Sequence, residues 1–205
     1  FIDDSKKILV IPNGIKMKEF LVKDKKFDAK TVLFVGRIVY RKGIHVLVEA
    51  MSKVIKKKKE AKLIIIGEGY FRPFIENLIK IYHIEKNVIF KKGLSRHQLK
   101  KYYQRANIFV CPSLFGESFG IVLLEAMASG TPIIASRHGG IKEVIRDNET
   151  GILVKPGDVE GLAEKTLLFL NNPQLSERIL KKAFQEVKRK YSWEIVGRKI
   201  EEVYL

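Results

Sequence analysis

Two glutamates frame the stretch FGESFGIVLLEAMASG, residues 115–130: Glu117 stands just ahead of an apolar run and Glu125 inside it. A carboxylate buried on a helix is costly unless something pairs with it. The run from Phe119 to Met127 reads as helix. A start near Ser118 or Phe119 would place Glu125 about two turns in, roughly 9–10 Å along the axis. Glu117 would lie just before the start, with the free amides of residues 118–121 between the two acids. Carboxylate, anion-binding helix end, carboxylate is an order that suits a ligand with hydroxyls at both ends and phosphate in the middle. A nucleotide sugar is such a ligand. Pairing of Glu125 with a buried base would account for the same residues, and spacing alone does not separate the two readings.

A second cluster is VGRIVYRKG, residues 35–43. A strand, then Gly36-Arg37, a short loop, and Lys42-Gly43 opening a helix would set two cations beside a helix N-terminus, a good diphosphate site. Two solvated cations on a very basic chain would look the same. GEG (67–69) is only a fragment of a dinucleotide fingerprint, because Arg72 occupies the third glycine position, and it reads as a strand-to-helix turn. HGG (138–140) reads as a glycine turn near the same sheet edge. His45, His83, His97 and His138 show no metal spacing, and the single Cys111 excludes a disulfide framework or a cysteine zinc site.

These residues need a scaffold, and the sequence supplies one. Short β-branched runs at 7–12, 31–36, 63–67, 87–90, 107–111 and 132–136 read as buried strands. Helical patterns at 43–58, 71–82, 96–105, 119–129 and 140–146 separate them, and 150–158 reads as a last short strand and a turn. Such alternation demands a mostly parallel sheet with helices on both faces. A helical tail follows over about 159–205, with helices near 159–171, 174–190 and 193–204, the last capped by Ser192. The expected fold is α/β, a Rossmann-like parallel sheet plus C-terminal helices. Ligands of such sheets gather at the carboxyl ends of the strands. Here those ends are Gly36-Arg37, Gly67-Glu68-Gly69, Gly93-Leu94 and Ser113 through Gly120.

With 205 residues, 46% of them hydrophobic, the chain can hold one α/β domain with an appendage. No apolar run is long enough to span a membrane and no signal-peptide pattern opens the chain, so a cytoplasmic protein is expected. Phe1 is not an initiator Met, which suggests a fragment or a processed product. Thirty-nine basic against 23 acidic residues give a net charge of +16, favouring anionic partners. KVIKKKKEAK (53–62) is either the solvated end of a helix or a contact with an acidic membrane surface, which would place the protein peripherally at the inner membrane face. Aromatic and basic residues are not interleaved as an RNA-stacking sheet requires, so no nucleic-acid partner is expected. The abundance of Lys and Glu also suits a thermophile.

The ordered motifs IPNGI (11–15), FVGRIVYRKG, LIIIGEG, FGESFGIVLLEAMASGTPIIAS, GGIKEVI, ETGILVKPGD and YSWE together resemble the carboxy-terminal, donor-binding domain of a GT-B glycosyltransferase of family 4, glycosyl transferases group 1. The resemblance runs through nearly the whole chain. It implies that residues 1–205 form one half of a GT-B fold and that Arg37 and Lys42 grip the donor's diphosphate. Glu117 would bind hydroxyls of the transferred sugar and Glu125 those of the ribose. The loop at Ser118 and the amides of Phe119, Gly120 and Ile121 would complete the phosphate site, and Leu94 would lie against the nucleobase. Glu117, Arg37 and Lys42 would then form the catalytic set. It further implies a retaining hexosyl transfer from a UDP- or GDP-sugar, with no metal and no cofactor. The partner would be an amino-terminal acceptor domain outside these residues, without which the chain is expected to be inactive. The rivals are another GT-B sugar-nucleotide enzyme such as a non-hydrolysing epimerase, and a basic module that binds nucleic acid or lipid surfaces.

Overall fold

A computed structural model describes residues 9–20 and 30–204. After a first turn of helix, α1 (Met17–Phe20), strands and helices alternate. They are β1 (Thr31–Val35), α2 (Ile44–Lys57), β2 (Lys62–Ile66), α3 (Arg72–Ile81), β3 (Val88–Lys91), α4 (Arg96–Arg105), β4 (Ile108–Cys111), α5 (Ile121–Ala128), β5 (Ile133–Ser136), α6 (Ile141–Val144) and β6 (Ile152–Val154). Three helices follow: α7 (Val159–Asn171), α8 (Pro173–Lys190) and α9 (Trp193–Tyr204).

The six strands form one parallel sheet in the order β3-β2-β1-β4-β5-β6. Both faces are covered, so the central strands β1 and β4 are buried along nearly their whole length rather than alternating. Val32 and Phe34 of β1, with Ile108 and Val110 of β4, enter the core beneath α2, α3 and α7. Leu33, Phe109 and Cys111 point the opposite way, into the core beneath α4, α5 and α6. Helix α8 straddles the two, with Ile179 in the first core and Ala183 and Val187 in the second. No helix among the described residues is long and apolar enough to cross a membrane.

This strand order sets the position of the site. The chain winds outward from β1 to β3, returns to place β4 beside β1, and winds outward the other way to β6. Between the carboxyl ends of β1 and β4 the crossovers diverge, leaving a crevice. Residues 36–43 form one lip of it and residues 112–120 the other.

Three sequence expectations change. The run at 7–12 carries the pattern of a buried strand. Residues 7 and 8 lie outside the described residues, and 9–12 are not in a strand, with Leu9 65% and Val10 83% exposed. An apolar run becomes a strand only where a ladder partner exists, and this one has none among the described residues. The helix expected over 119–129 begins at Ile121, and that expected over 140–146 is a single turn ending before the extended Ile145. Ser192 does stand immediately before α9, and its carbonyl accepts from the amides of Ile195 and Val196.

Candidate active site

The two lips of the crevice are laced together. Gly43 joins a 3₁₀ turn (Tyr40–Lys42) to α2 at a φ of +67°, and a Cβ there would stand 2.0 Å from the carbonyl oxygen of Pro112. Glycine alone permits both the left-handed backbone and this approach. Arg41 donates from Nη1 to the Gly116 carbonyl at 2.7 Å, and the Leu114 amide donates to the Arg41 carbonyl at 2.8 Å. Lys42 is thereby carried to Glu117, where its Nζ donates to Oε2. The Ser113 hydroxyl donates to the same oxygen at 3.3 Å. Arg37, at the end of β1, is exposed and has no ion-pair partner among the described residues.

Across the crevice, Gly120 adopts a φ of +78°, which prevents α5 from starting earlier. Glu125 is therefore about one turn into the helix, roughly 6 Å along its axis, instead of two turns. The amides of Phe119, Gly120 and Ile121 have no intramolecular partner among the described residues, whereas that of Leu123 already donates to the Gly120 carbonyl at 2.8 Å. Ser118 is exposed on the approach to them. Lys42, Glu117 and three free amides thus meet at one helix start, an arrangement that can hold an anion beside hydroxyls.

Glu125 is 7% exposed, and its partner is not a base. The hydroxyl of Tyr103, a fully buried side chain on α4, donates to Oε2 at 2.9 Å. Burial raises the Glu125 carboxyl above its ordinary value, while Tyr103 and then Arg96 draw it back down. Leu94, two residues before Arg96, is half-buried and packs on the core that α5 also lines.

The sequence marks His138, Gly139 and Gly140 only as a turn at this sheet edge, and the structure gives them a larger part. The Gly140 amide donates to the Glu117 carbonyl at 3.0 Å, and Cβ atoms at Gly139 and Gly140 would collide with the carbonyls of Glu117 and Ser118. The glycine pair after an apolar strand was the available signal. Nε2 of His138 is buried without a partner, and burial lowers its pKa, opposed by Glu117 and the Ser113 main chain. Cys111 lies beneath the same loop. Burial, with Glu117 nearby, pushes its thiol up to about 11, so it is no nucleophile at neutral pH. GEG is a turn, pinned where the Ile38 amide donates to the Glu68 carbonyl at 2.8 Å. Among the described residues no three His, Cys, Asp or Glu side chains lie close enough to hold a metal ion. Lys53, Lys56, Lys57 and Lys58 sit with Glu160 and Glu164 in a groove between α2 and α7, at the opposite end of α2 from Lys42.

An all-parallel sheet with a polar site at its topological switch point defines a Rossmann-like domain. The chain belongs to the glycosyl transferases group 1 family, whose model matches residues 16–186. It is 36% identical over 211 residues to an uncharacterized glycosyltransferase of Methanocaldococcus jannaschii, covering 97% of this chain and 54% of that protein. It is 37% identical over 179 residues to a phosphatidyl-myo-inositol mannosyltransferase of Mycobacterium leprae, covering 85% of this chain and 46% of that one. The chain thus spans about half the length of these relatives. Among solved structures, sucrose-phosphate synthase of Thermosynechococcus elongatus superposes with a TM-score of 0.86 at 34% identity, over 95% of this chain and 51% of its own. A point mutant of S. aureus TarM, solved with Fondaparinux, alpha-GlcNAc-glycerol and UDP, superposes with a TM-score of 0.86 at 28% identity, over 100% of this chain and 40% of its own.

Proposed function

We propose that this chain is the donor-binding half of a retaining, metal-independent glycosyltransferase that moves a hexosyl group from a UDP- or GDP-sugar to an acceptor. The observation that carries the reading is the meeting of Lys42, Glu117 and the free amides of Phe119, Gly120 and Ile121 at the start of α5. The UDP complex of the 28%-identical TarM supports a nucleotide ligand. In this reading the diphosphate lies against the α5 amides, Lys42 and Arg37. The hexose hydroxyls donate to Glu117, the ribose hydroxyls to Glu125, and the base rests on Leu94.

Transfer breaks the bond between the anomeric carbon and the phosphate oxygen while the acceptor oxygen bonds to that carbon on the same face. The acceptor proton passes to the departing phosphate. Negative charge grows on the diphosphate as the bond breaks, and fixed cations and amides aimed there lower the barrier. The acceptor must be held about 3 Å from the anomeric carbon, and such positioning is worth roughly 7–11 kcal/mol. That positioning is assigned to a second domain, so these 205 residues should bind donor without turning it over. The test is calorimetry of the chain with UDP, GDP, ADP, their sugars and the free nucleosides, followed by transfer assays with candidate acceptors. Diphosphates binding no better than nucleosides would overturn the site. Efficient transfer by the chain alone would overturn the half-site division.

A further inference from the structure

Tyr103 has no part in the reading above, yet it makes the hydrogen bond that fixes the deepest acid of the site. Its side chain is fully buried in the core beneath α5, packed against Phe109 with ring centroids 5.5 Å apart. Its main chain is held as well, because the Thr131 hydroxyl donates to its carbonyl. Helix α4 is anchored at its start by a reciprocal cap, the Ser95 hydroxyl accepting from the Gln98 amide and the Gln98 side chain accepting from the Ser95 amide. The phenol therefore has little freedom to move, and its hydroxyl meets Oε2 of Glu125 at 2.9 Å. The second oxygen of Glu125, Oε1, has no partner among the described residues, and it is not among the buried polar atoms left unsatisfied, so it reaches solvent. One oxygen is tied from behind and the other is open.

We infer that Tyr103 is a positioning residue, holding the Glu125 carboxylate so that its free oxygen meets the vicinal hydroxyls of a ribonucleotide's ribose. The inference rests on the assignment of Glu125 to ribose. A carboxylate in a nearly sealed site accepts both hydroxyls of a diol well only if it stays ionised and does not rotate. Tyr103 serves both needs. Its hydrogen bond fixes the carboxylate plane and also opposes the burial that would protonate the acid. Among the described residues, the titratable and charged groups that act on Glu125 are Tyr103 and Arg96, both from α4.

Tyr103→Phe removes the hydroxyl and keeps the packed ring. The test compares UDP and GDP with their 2′,3′-dideoxy counterparts on wild type, Tyr103→Phe and Glu125→Gln, by calorimetry from about pH 5.5 to 8.5, with thermal melts as a folding control. The wild type should prefer the ribonucleotide. Tyr103→Phe should weaken the ribonucleotide about tenfold, leave the dideoxy compound unchanged, and move the acid limb of ribonucleotide binding to higher pH. Equal losses for both ligands, or an unmoved pH limb, would make Tyr103 merely structural and overturn the inference. If Glu125→Gln abolishes the ribose preference but Tyr103→Phe does not, the inference alone fails. If the wild type shows no ribose preference, the assignment of Glu125 fails, and the role of Tyr103 with it.

Discussion

Lys42, at the mouth of α2, donates to the carboxylate of Glu117 across the crevice between β1 and β4. The two belong to different crossovers, and their side chains are only 15% and 11% exposed. A pair this far removed from water leaves an uncompensated charge when one member is lost. It is also a pair that a phosphorylated sugar can replace, phosphate taking the lysine and hydroxyls donating to the glutamate.

The two members should therefore differ in what they do to ligands. Glu117→Ala frees Lys42, so affinity for nucleoside diphosphate should hold or rise while the increment due to the sugar disappears. Lys42→Ala should weaken the diphosphate far more than the free nucleoside. Each lost charged contact should be worth roughly 1.5–3 kcal/mol. Isothermal titration of nucleoside, diphosphate and diphosphate-sugar on both variants checks this. Equal losses for every ligand in both would defeat the assignment.

Arg37 offers a cleaner test, because it is exposed and has no ion-pair partner among the described residues. Arg37→Ala should leave the melting temperature unchanged, within about 0.5 kcal/mol of stability. It should still weaken diphosphate binding, most at low salt, where screening is least. A variant that melts lower yet binds diphosphate normally would show the arginine to be structural.

Most of the scaffold was legible because it is written locally. TVLFV and IFVC are almost wholly apolar, as strands covered on both faces tend to be, and the patterns at 43–58 and 96–105 contain α2 and α4. What was not legible depends on distant partners. KILVIP is as β-branched as TVLFV, but no ladder receives residues 9–12. The delayed start of α5 follows from the left-handed Gly120, which the apolar run around it conceals. Glu117 and Glu125 stood out as acids against an apolar background. Tyr103 did not, because a tyrosine on an amphipathic helix looks like any core residue until its hydroxyl is seen to meet Glu125 from 22 residues away.

Glu125 should oppose stability at neutral pH. Burial raises its folded pKa above the unfolded value, so its ionisation favours unfolding as pH rises from about 4.3 toward the folded pKa. Glu125→Gln should then melt at a higher temperature than wild type at pH 7, with the difference vanishing below about pH 4. The same variant should bind nucleoside diphosphate more weakly, the trade-off expected of a functional acid. His45 and His138 act in the opposite sense. Burial lowers both, so stability should be full above about pH 6.5 and decline as pH falls from there through their folded values. Denaturant midpoints of wild type and Glu125→Gln across this range test both signs, and a Gln variant less stable than wild type at pH 7 would contradict the first.

Gly140 should prove the most sensitive glycine whose backbone is ordinary. Its φ is −67°, which any residue adopts, so alanine there meets no intrinsic conformational penalty. A Cβ, however, would stand 1.8 Å from the carbonyl oxygen of Ser118 and 3.0 Å from the amide nitrogen of Phe119. Both are main-chain atoms and cannot swing aside as a flexible side chain would. The loop from Glu117 to Phe119 must move, and the hydrogen bond from the Gly140 amide to the Glu117 carbonyl must lengthen. Overpacking of this kind costs typically about 1–3 kcal/mol. The displaced loop carries both the acid assigned to the hexose and the first amide assigned to phosphate, so ligand binding should fall along with stability. Gly197, inside α9, is the control: a Cβ added there would meet nothing within 4 Å. Alanine at Gly197 should raise stability by about 0.5–1 kcal/mol and leave binding alone. Thermal melts and diphosphate titrations of Gly140→Ala and Gly197→Ala measure both quantities. A Gly140→Ala chain that melts and binds like wild type would show that the loop at Glu117 is not held in place by the segment beneath it.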